Sequence, residues 1–197
     1  ISTHLPVKEA KYVFNELLEI KRYQAQSDRY TLCWTADRNF RKDIDPTYKA
    51  NRTRYDRRKP VGYLALRRWA EQQFPSECWH RLEADDVLGI LGTRHNDRTV
   101  IWSGDKDLKQ IPGLHLDNDG NTYLVSELEA DVYFYRQALT GDSTDGYPGC
   151  PGVGPKTAEK LIPSEGFTEA SAWRTVIDQY KKKGLGADGV VGPKTLQ

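Results

Sequence analysis

Short apolar strands alternate with amphipathic helices over the first two thirds of this chain, and no strand signal follows. Residues 7–24 place Val7, Ala10, Phe14, Leu17 and Leu18 at helical spacing with charges opposite, which predicts an amphipathic helix. Tyr30-Thr-Leu-Cys-Trp34 is β-branched and aromatic and reads as a strand. Residues 62–74 read as a helix carrying Leu64, Leu66, Trp69, Ala70 and Phe74, stopped by Pro75. A shorter helix is predicted over 83–93, and strands over 99–103 and 122–125. Beyond these, 127–139, 155–162 and 168–183 read as helices, with a Gly/Pro-rich loop over 140–154. Such alternation predicts an α/β fold: a mostly parallel central sheet with helices on its faces, followed by a helical region. Residues 1–139 are expected to form the α/β core and 140–197 the helical region. Ligands of a parallel sheet gather at the carboxyl ends of its strands.

Composition narrows the class. Apolar residues make up 38% of the 197 and charged residues 29%, which suits a soluble globular chain and argues against disorder. No apolar run reaches the length of a membrane span, and no secretory leader pattern opens the chain, so a cytoplasmic protein is expected. Cys33, Cys78 and Cys150 are odd in number and scattered, the usage of reduced thiols. Neither they nor His4, His80, His95 and His115 have zinc-site spacing. The chain starts at Ile1 and contains no Met, so upstream residues are expected.

The net charge of +1 hides a local imbalance. From Arg38 to Lys59, nine basic residues face only Asp43, Asp45 and Asp56, with Tyr48 and Tyr55 interleaved. A polymer of phosphates with stackable bases suits such a segment; a solvated loop is the plainer reading. Eight carboxylates then fall where a sheet edge could gather them. Asp37 lies just beyond a strand, and Glu83, Asp85 and Asp86 open a helix. Asp105 and Asp107 follow a strand, and Asp142 and Asp145 sit in Gly-Asp-Ser-Thr-Asp-Gly. Each group has a structural reading, as helix-dipole partners or turn residues. Taken together they would repel one another unless cations neutralised them, and oxygen-only donors select Mg²⁺ or Mn²⁺. Two such ions about 4 Å apart serve phosphodiester hydrolysis.

Pro148-Gly-Cys-Pro-Gly-Val-Gly-Pro-Lys-Thr-Ala-Glu-Lys-Leu-Ile162 is the most specific signal. Gly152, Val153 and Gly154 make a tight turn, Pro155 begins a helix, and Lys156 and Thr157 add a charge and a hydroxyl. Walker spacing is absent, so a nucleotide cradle is disfavoured. The pattern reads as a helix-hairpin-helix that grips a DNA backbone without reading sequence. The Gly-rich tail from Gly184 to Gln197 repeats Val-Gly-Pro-Lys-Thr and has no assigned role.

At these residues the chain resembles the 5′-nuclease family of flap endonucleases, bacteriophage 5′–3′ exonucleases and the 5′-nuclease domain of bacterial DNA polymerase I. The resemblance covers roughly residues 30–165. It rests on Asp37-Arg-Asn-Phe-Arg41, Tyr48-Lys-Ala-Asn-Arg52, Glu83-Ala-Asp-Asp86, Ser103-Gly-Asp-Lys-Asp-Leu108 and Leu139-Thr-Gly-Asp-Ser-Thr-Asp-Gly-Tyr-Pro148, in the family's order, with the hairpin following. It implies a PIN-like sheet, a basic helical arch at about 38–60 and a Mg²⁺- or Mn²⁺-dependent phosphodiesterase. Asp37, Glu83, Asp85 and Asp105 match the first metal site; Asp107, Asp142 and Asp145 match the second. Asp86 matches an acid that reaches metal through water. Tyr48 matches an aromatic that stacks on the terminal nucleotide. Lys49 and Arg52 match the basic gateway, assisted by Arg41. The hairpin would hold duplex, with K⁺ an option at its carbonyls.

The implied partner is DNA with a free 5′ end or 5′ flap, with RNA–DNA hybrids a further class. A monomer in the cytoplasm, with no membrane partner, is expected. The family also carries a metal-binding Asp on a strand before its first long helix, and Ile1 falls after that position. Two other readings stay open: a catalytically silent DNA-binding module of the same fold, and a PIN-type ribonuclease.

Overall fold

A computed structural model describes residues 6–50, 59–94 and 99–185. Its elements run in the order α1 (Val7–Gln24), β1 (Leu32–Cys33), α2 (Phe40–Ile44), α3 (Tyr63–Gln73), β2 (Ser76–Glu77), α4 (Ala84–Arg94), β3 (Val100–Trp102), β4 (Gly113–Leu116), β5 (Thr122–Val125), α5 (Glu127–Thr140), α6 (Pro155–Leu161) and α7 (Glu169–Lys182). A 3-10 helix over Lys106–Gln110 lies between β3 and β4. The described residues divide into two compact units. An α/β unit draws on residues 6–38, 59–94, 99–108 and 113–124, and a helical unit on 39–50, 109–112 and 125–185.

In the α/β unit the expected parallel pairing is present, as two short ladders. Leu32 and Cys33 of β1 pair parallel with Ser76 and Glu77 of β2. Val100, Ile101 and Trp102 of β3 pair parallel with Leu114, His115 and Leu116 of β4, and β5 completes that sheet beside β4. α1 packs on α3 through an aromatic cluster: Phe14 stands 6.1 Å from Trp69 and 5.7 Å from Phe74, and Trp69 meets Phe74 edge-on at 5.3 Å. The buried Lys21 of α1 donates to the carbonyls of Asp117 (3.2 Å) and Asn118 (2.8 Å), pinning the helix to the turn after β4. Such capture satisfies a buried ammonium that would otherwise be costly. Leu17 and Leu64, expected inward, face solvent at 40% and 58% exposure; the aromatic cluster takes the inward faces of α1 and α3.

The helical unit is built around α5, against which α6 and α7 pack. Its core comprises Ala138, Leu139, Cys150, Val153, Ala158, Ile162, Ala172, Val176 and Tyr180. Burial of Leu139, Ile162 and Val176 contributes about 1.5–3 kcal/mol each. α5 starts with a reciprocal capping box between Ser126 and Glu129, and α6 starts with Pro155 at its first position after Gly154. No helix of the described residues is long and apolar enough to cross a membrane.

Candidate active site

The acids of the α/β unit follow its parallel strands. After β1, the backbone N–H of Ala36 donates to the carbonyl of Leu82 (2.9 Å), and the N–H of Ala84 donates to Thr35 Oγ1 (3.1 Å). These bonds tie the exit of β1, where Asp37 stands exposed, to the start of α4. There Glu83, Asp85 and Asp86 are half-buried. Asp86 Oδ2 accepts the backbone N–H of Glu83 at 2.8 Å, half of a capping box. One oxygen of Asp86 is thus spent on the helix, as the structural reading of this group anticipates.

Asp105 follows β3 and is exposed, and Asp107 is half-buried. The N–H of Asp105 donates to Ser103 Oγ, and that of Asp107 donates to Asp105 Oδ1, each at 3.0 Å. This Asx turn starts the 3-10 helix and sets both carboxylates on one tight bend.

The helical unit holds the other acids with part of the basic segment. Asp142 and Tyr147 form an antiparallel bridge through bonds of 2.7 and 2.8 Å, closing the turn that carries Asp145. Asp142 is buried and accepts the N–H of Thr144 (2.7 Å) and, more weakly, Gln137 Nε2 (3.4 Å). Asp145 Oδ2 accepts the Tyr48 hydroxyl at 3.3 Å and faces Lys49 Nζ at 3.7 Å. The Lys49 N–H also donates to the carbonyl of Asp145 (3.3 Å). Tyr48 is 7% exposed, with Lys49 Nζ at 4.8 Å and the Arg41 guanidinium at 5.9 Å from its ring centre. Lys49 has a left-handed backbone, φ +55°, a strain found where the surroundings over-determine a residue.

Pairing of Tyr48 and Lys49 with Asp145 had no sequence signal, because 97 positions separate Tyr48 from Asp145. Arg52 and the rest of the expected arch over 51–58 lie outside the described residues, as do His4, His95 and the tail over 186–197. At the expected hairpin, Val153 is buried and Gly152, Gly154, Lys156 and Thr157 are exposed. The N–H groups of Thr157 and Ala158 donate to the Gly154 carbonyl at 3.0 and 2.9 Å.

All eight acids offer only carboxylate oxygen, which suits a hard divalent cation in kind. Among the described residues, no three His, Cys, Asp or Glu side chains come together as a group that could hold a metal ion. Thiol chemistry is disfavoured: burial, reinforced by Glu77, pushes the Cys33 thiol up to about 11, and burial raises Cys150. Iodoacetamide at pH 7.5 is therefore expected to mark the exposed Cys78 first and to reach Cys33 and Cys150 only after unfolding, as read by intact mass and peptide mapping.

These features define a class: a resolvase-like α/β domain with an oxygen-donor acid set after its strands. The profile described as the 5′–3′ exonuclease N-terminal resolvase-like domain matches residues 2–131, and the chain belongs to that family. It is 34% identical over 179 residues to the exonuclease of Escherichia phage T7, an overlap covering 84% of this chain and 58% of that protein. It is 32% identical over 162 residues to the flap endonuclease Xni of Vibrio campbellii, covering 75% and 62%. The chain thus spans under two thirds of the length of these relatives. A T5 5′-exonuclease structure described with bound zinc superposes with a TM-score of 0.63 at 17% identity, covering 94% of this chain and 87% of that one. A bacteriophage T5 flap endonuclease complex with DNA and metal ions does so at 0.64 and 16%, covering 94% and 90%. These structures share the α/β fold.

Proposed function

We propose that this chain is a metal-dependent, structure-specific 5′ nuclease that hydrolyses DNA phosphodiesters near a free 5′ end or flap. The observation that carries the reading is the placement of Asp37, Glu83, Asp85, Asp86, Asp105 and Asp107 after successive strands of the parallel ladders. Membership of a family named for 5′–3′ exonuclease activity supports it, as do relatives named as exonuclease and flap endonuclease. Asp37, Glu83, Asp85, Asp105 and Asp107 are the ligands of the α/β unit, and Asp86 acts through water. Asp142 and Asp145 are the ligands of the helical unit. When bound, Mg²⁺ or Mn²⁺ acts as a Lewis acid on the phosphodiester and activates water.

The chain's own residues hold the strand. The Lys49 ammonium passes from Asp145 to a phosphate oxygen, Arg41 and Arg52 add charge beside it, and release of Lys49 frees the Tyr48 ring to stack on a base. Gly152, Val153, Gly154, Lys156 and Thr157 form a helix-hairpin-helix that grips the duplex backbone, with K⁺ as a further ligand of its carbonyls. RNA–DNA hybrids fit the same contacts, because no base edge is read.

A duplex labelled at the 5′ end of its flap tests this reading, with Mg²⁺ compared against EDTA. Metal-dependent release of a labelled fragment is expected, and fragment lengths separate flap cutting from stepwise digestion. A DNA-binding module without cleavage is the second reading, favoured by the absence, among the described residues, of a three-ligand cluster. Tight binding without metal-dependent release would select it.

A further inference from the structure

We infer that Tyr180 is a positioning residue, holding from α7 the turn that carries Asp142 and Asp145; the inference rests on those two acids being the ligands proposed above. The turn closes directly on the end of α5, where a helix leaves its last carbonyls without intrahelical partners. The Ala138 carbonyl would ordinarily accept the N–H of Asp142, but that N–H donates to the Tyr147 carbonyl at 2.7 Å. Two phenols take its place. Tyr147 Oη and Tyr180 Oη each lie 2.9 Å from the Ala138 oxygen and 2.7 Å from each other.

Three contacts therefore share two hydroxyl protons, and neither tyrosine is independent of the other. Tyr147 belongs to the bridge with Asp142 and stands two residues after Asp145, so its ring position sets where the turn lies. Tyr180 is 4% exposed and packed in the core of the helical unit. Its hydroxyl is fixed by packing, and it in turn fixes Tyr147. Burial, with Tyr147 adding to it, raises the Tyr180 phenol far above its ordinary range, so it serves only as a neutral hydrogen-bonding group. Without the Tyr180 hydroxyl, Tyr147 Oη loses the contact that ties it to α7, and the two carboxylates lose a common orientation. A ligand set displaced by a fraction of an ångström binds metal more weakly, as loss of supporting groups around metal ligands does.

The test is Mn²⁺ binding to the full chain, followed by electron paramagnetic resonance, for wild type, Tyr180→Phe, Tyr147→Phe, the double variant and Asp142→Asn. Phenylalanine fills the same space, so each tyrosine variant is expected to fold, as near-wild-type melting in metal-free buffer would show. Tyr180→Phe is expected to weaken Mn²⁺ binding by about 10-fold. On flap DNA it should lower kcat at limiting metal with KM for DNA unchanged, and added metal should recover the rate. The double variant should be no weaker than the worse single one, because the two hydroxyls act through one network.

Unchanged Mn²⁺ affinity in Tyr180→Phe, with Asp142→Asn clearly weakened, would overturn the positioning role and leave the ligand assignment intact. Unchanged affinity in both would overturn the ligand assignment and the inference with it.

Discussion

Asp105→Ala is expected to lower metal-dependent release from a 5′-flap duplex by about 10³-fold, a loss of roughly 4 kcal/mol in transition-state stabilisation, with duplex affinity nearly unchanged. Two roles meet at this side chain. Its carboxylate is exposed directly after β3, where a parallel sheet presents ligands. Its Oδ1 also accepts the Asp107 N–H at 3.0 Å and so starts the 3-10 helix. Alanine removes both roles, whereas Asp105→Asn keeps a carbonyl oxygen for the turn and removes the charge. If the carboxylate serves a cation, asparagine should be nearly as damaging as alanine. Wild-type rates in Asp105→Asn with slow rates in Asp105→Ala would make this residue a turn former only, and would count against the ligand assignment.

Helices were legible wherever period and punctuation agreed. α1 occupies 7–24 and β5 occupies 122–125, as expected, and α5 runs one residue beyond its predicted end. Ser126 and Glu129 mark the start of α5, and Pro155 that of α6. The α/β fold with parallel pairing followed from the same alternation. What escaped was too short or too polar to carry a period. β2 is Ser76-Glu77, two residues held by pairing with β1. β4 begins at Gly113 and includes a buried His115, stacked at 5.4 Å on Tyr123, so its composition gave no strand signal. α2 lies inside the basic segment, where charge masks helical spacing, and a helix there was expected from the family resemblance rather than from a period.

The candidate site divides in the same way. Each acid could be placed after a strand, at a helix start or in a turn, because those positions depend on local punctuation. A structural role for Asp86 at the helix start was legible as a dipole partner, whereas its cap bond to the Glu83 N–H was not. The grip of Tyr48 and Lys49 on Asp145 and the contact of Tyr180 with Tyr147 join residues far apart in sequence. Such contacts arise from packing, which no short window records.

The largest loss of stability is expected from Gly141→Ala, at least about 3 kcal/mol, or a fall in melting temperature of roughly 6–12 °C for a chain of this size. Gly141 caps α5 with φ +74° and ψ −177°, a region that side-chain-bearing residues essentially never adopt. A Cβ there would stand 2.5 Å from the Tyr147 carbonyl oxygen and 2.6 Å from the Pro148 carbonyl carbon, and would also press on the Gly149 nitrogen. All three are backbone atoms, so no rotamer change relieves the clash. Moving them breaks the Asp142–Tyr147 bridge and the bond from the Cys150 N–H to the Leu139 carbonyl (2.7 Å).

Gly149, φ +69°, meets the backbone of Thr140 and Gly141 from the other side, so the two glycines are closed against each other. Gly154→Ala is the control. That position has φ −93° and nothing within 4 Å of a built Cβ, so its cost should stay under about 1 kcal/mol. A Gly141→Ala melt within 2 °C of wild type would show that the turn yields cheaply, and would contradict a close approach that leaves no room for a side chain. A strong loss at Gly141 with little at Gly154 would instead mark the turn as rigid. Asp142 and Asp145 would then be held by the backbone closure at the end of α5 before any ligand arrives, with their orientation built into the folded helical unit.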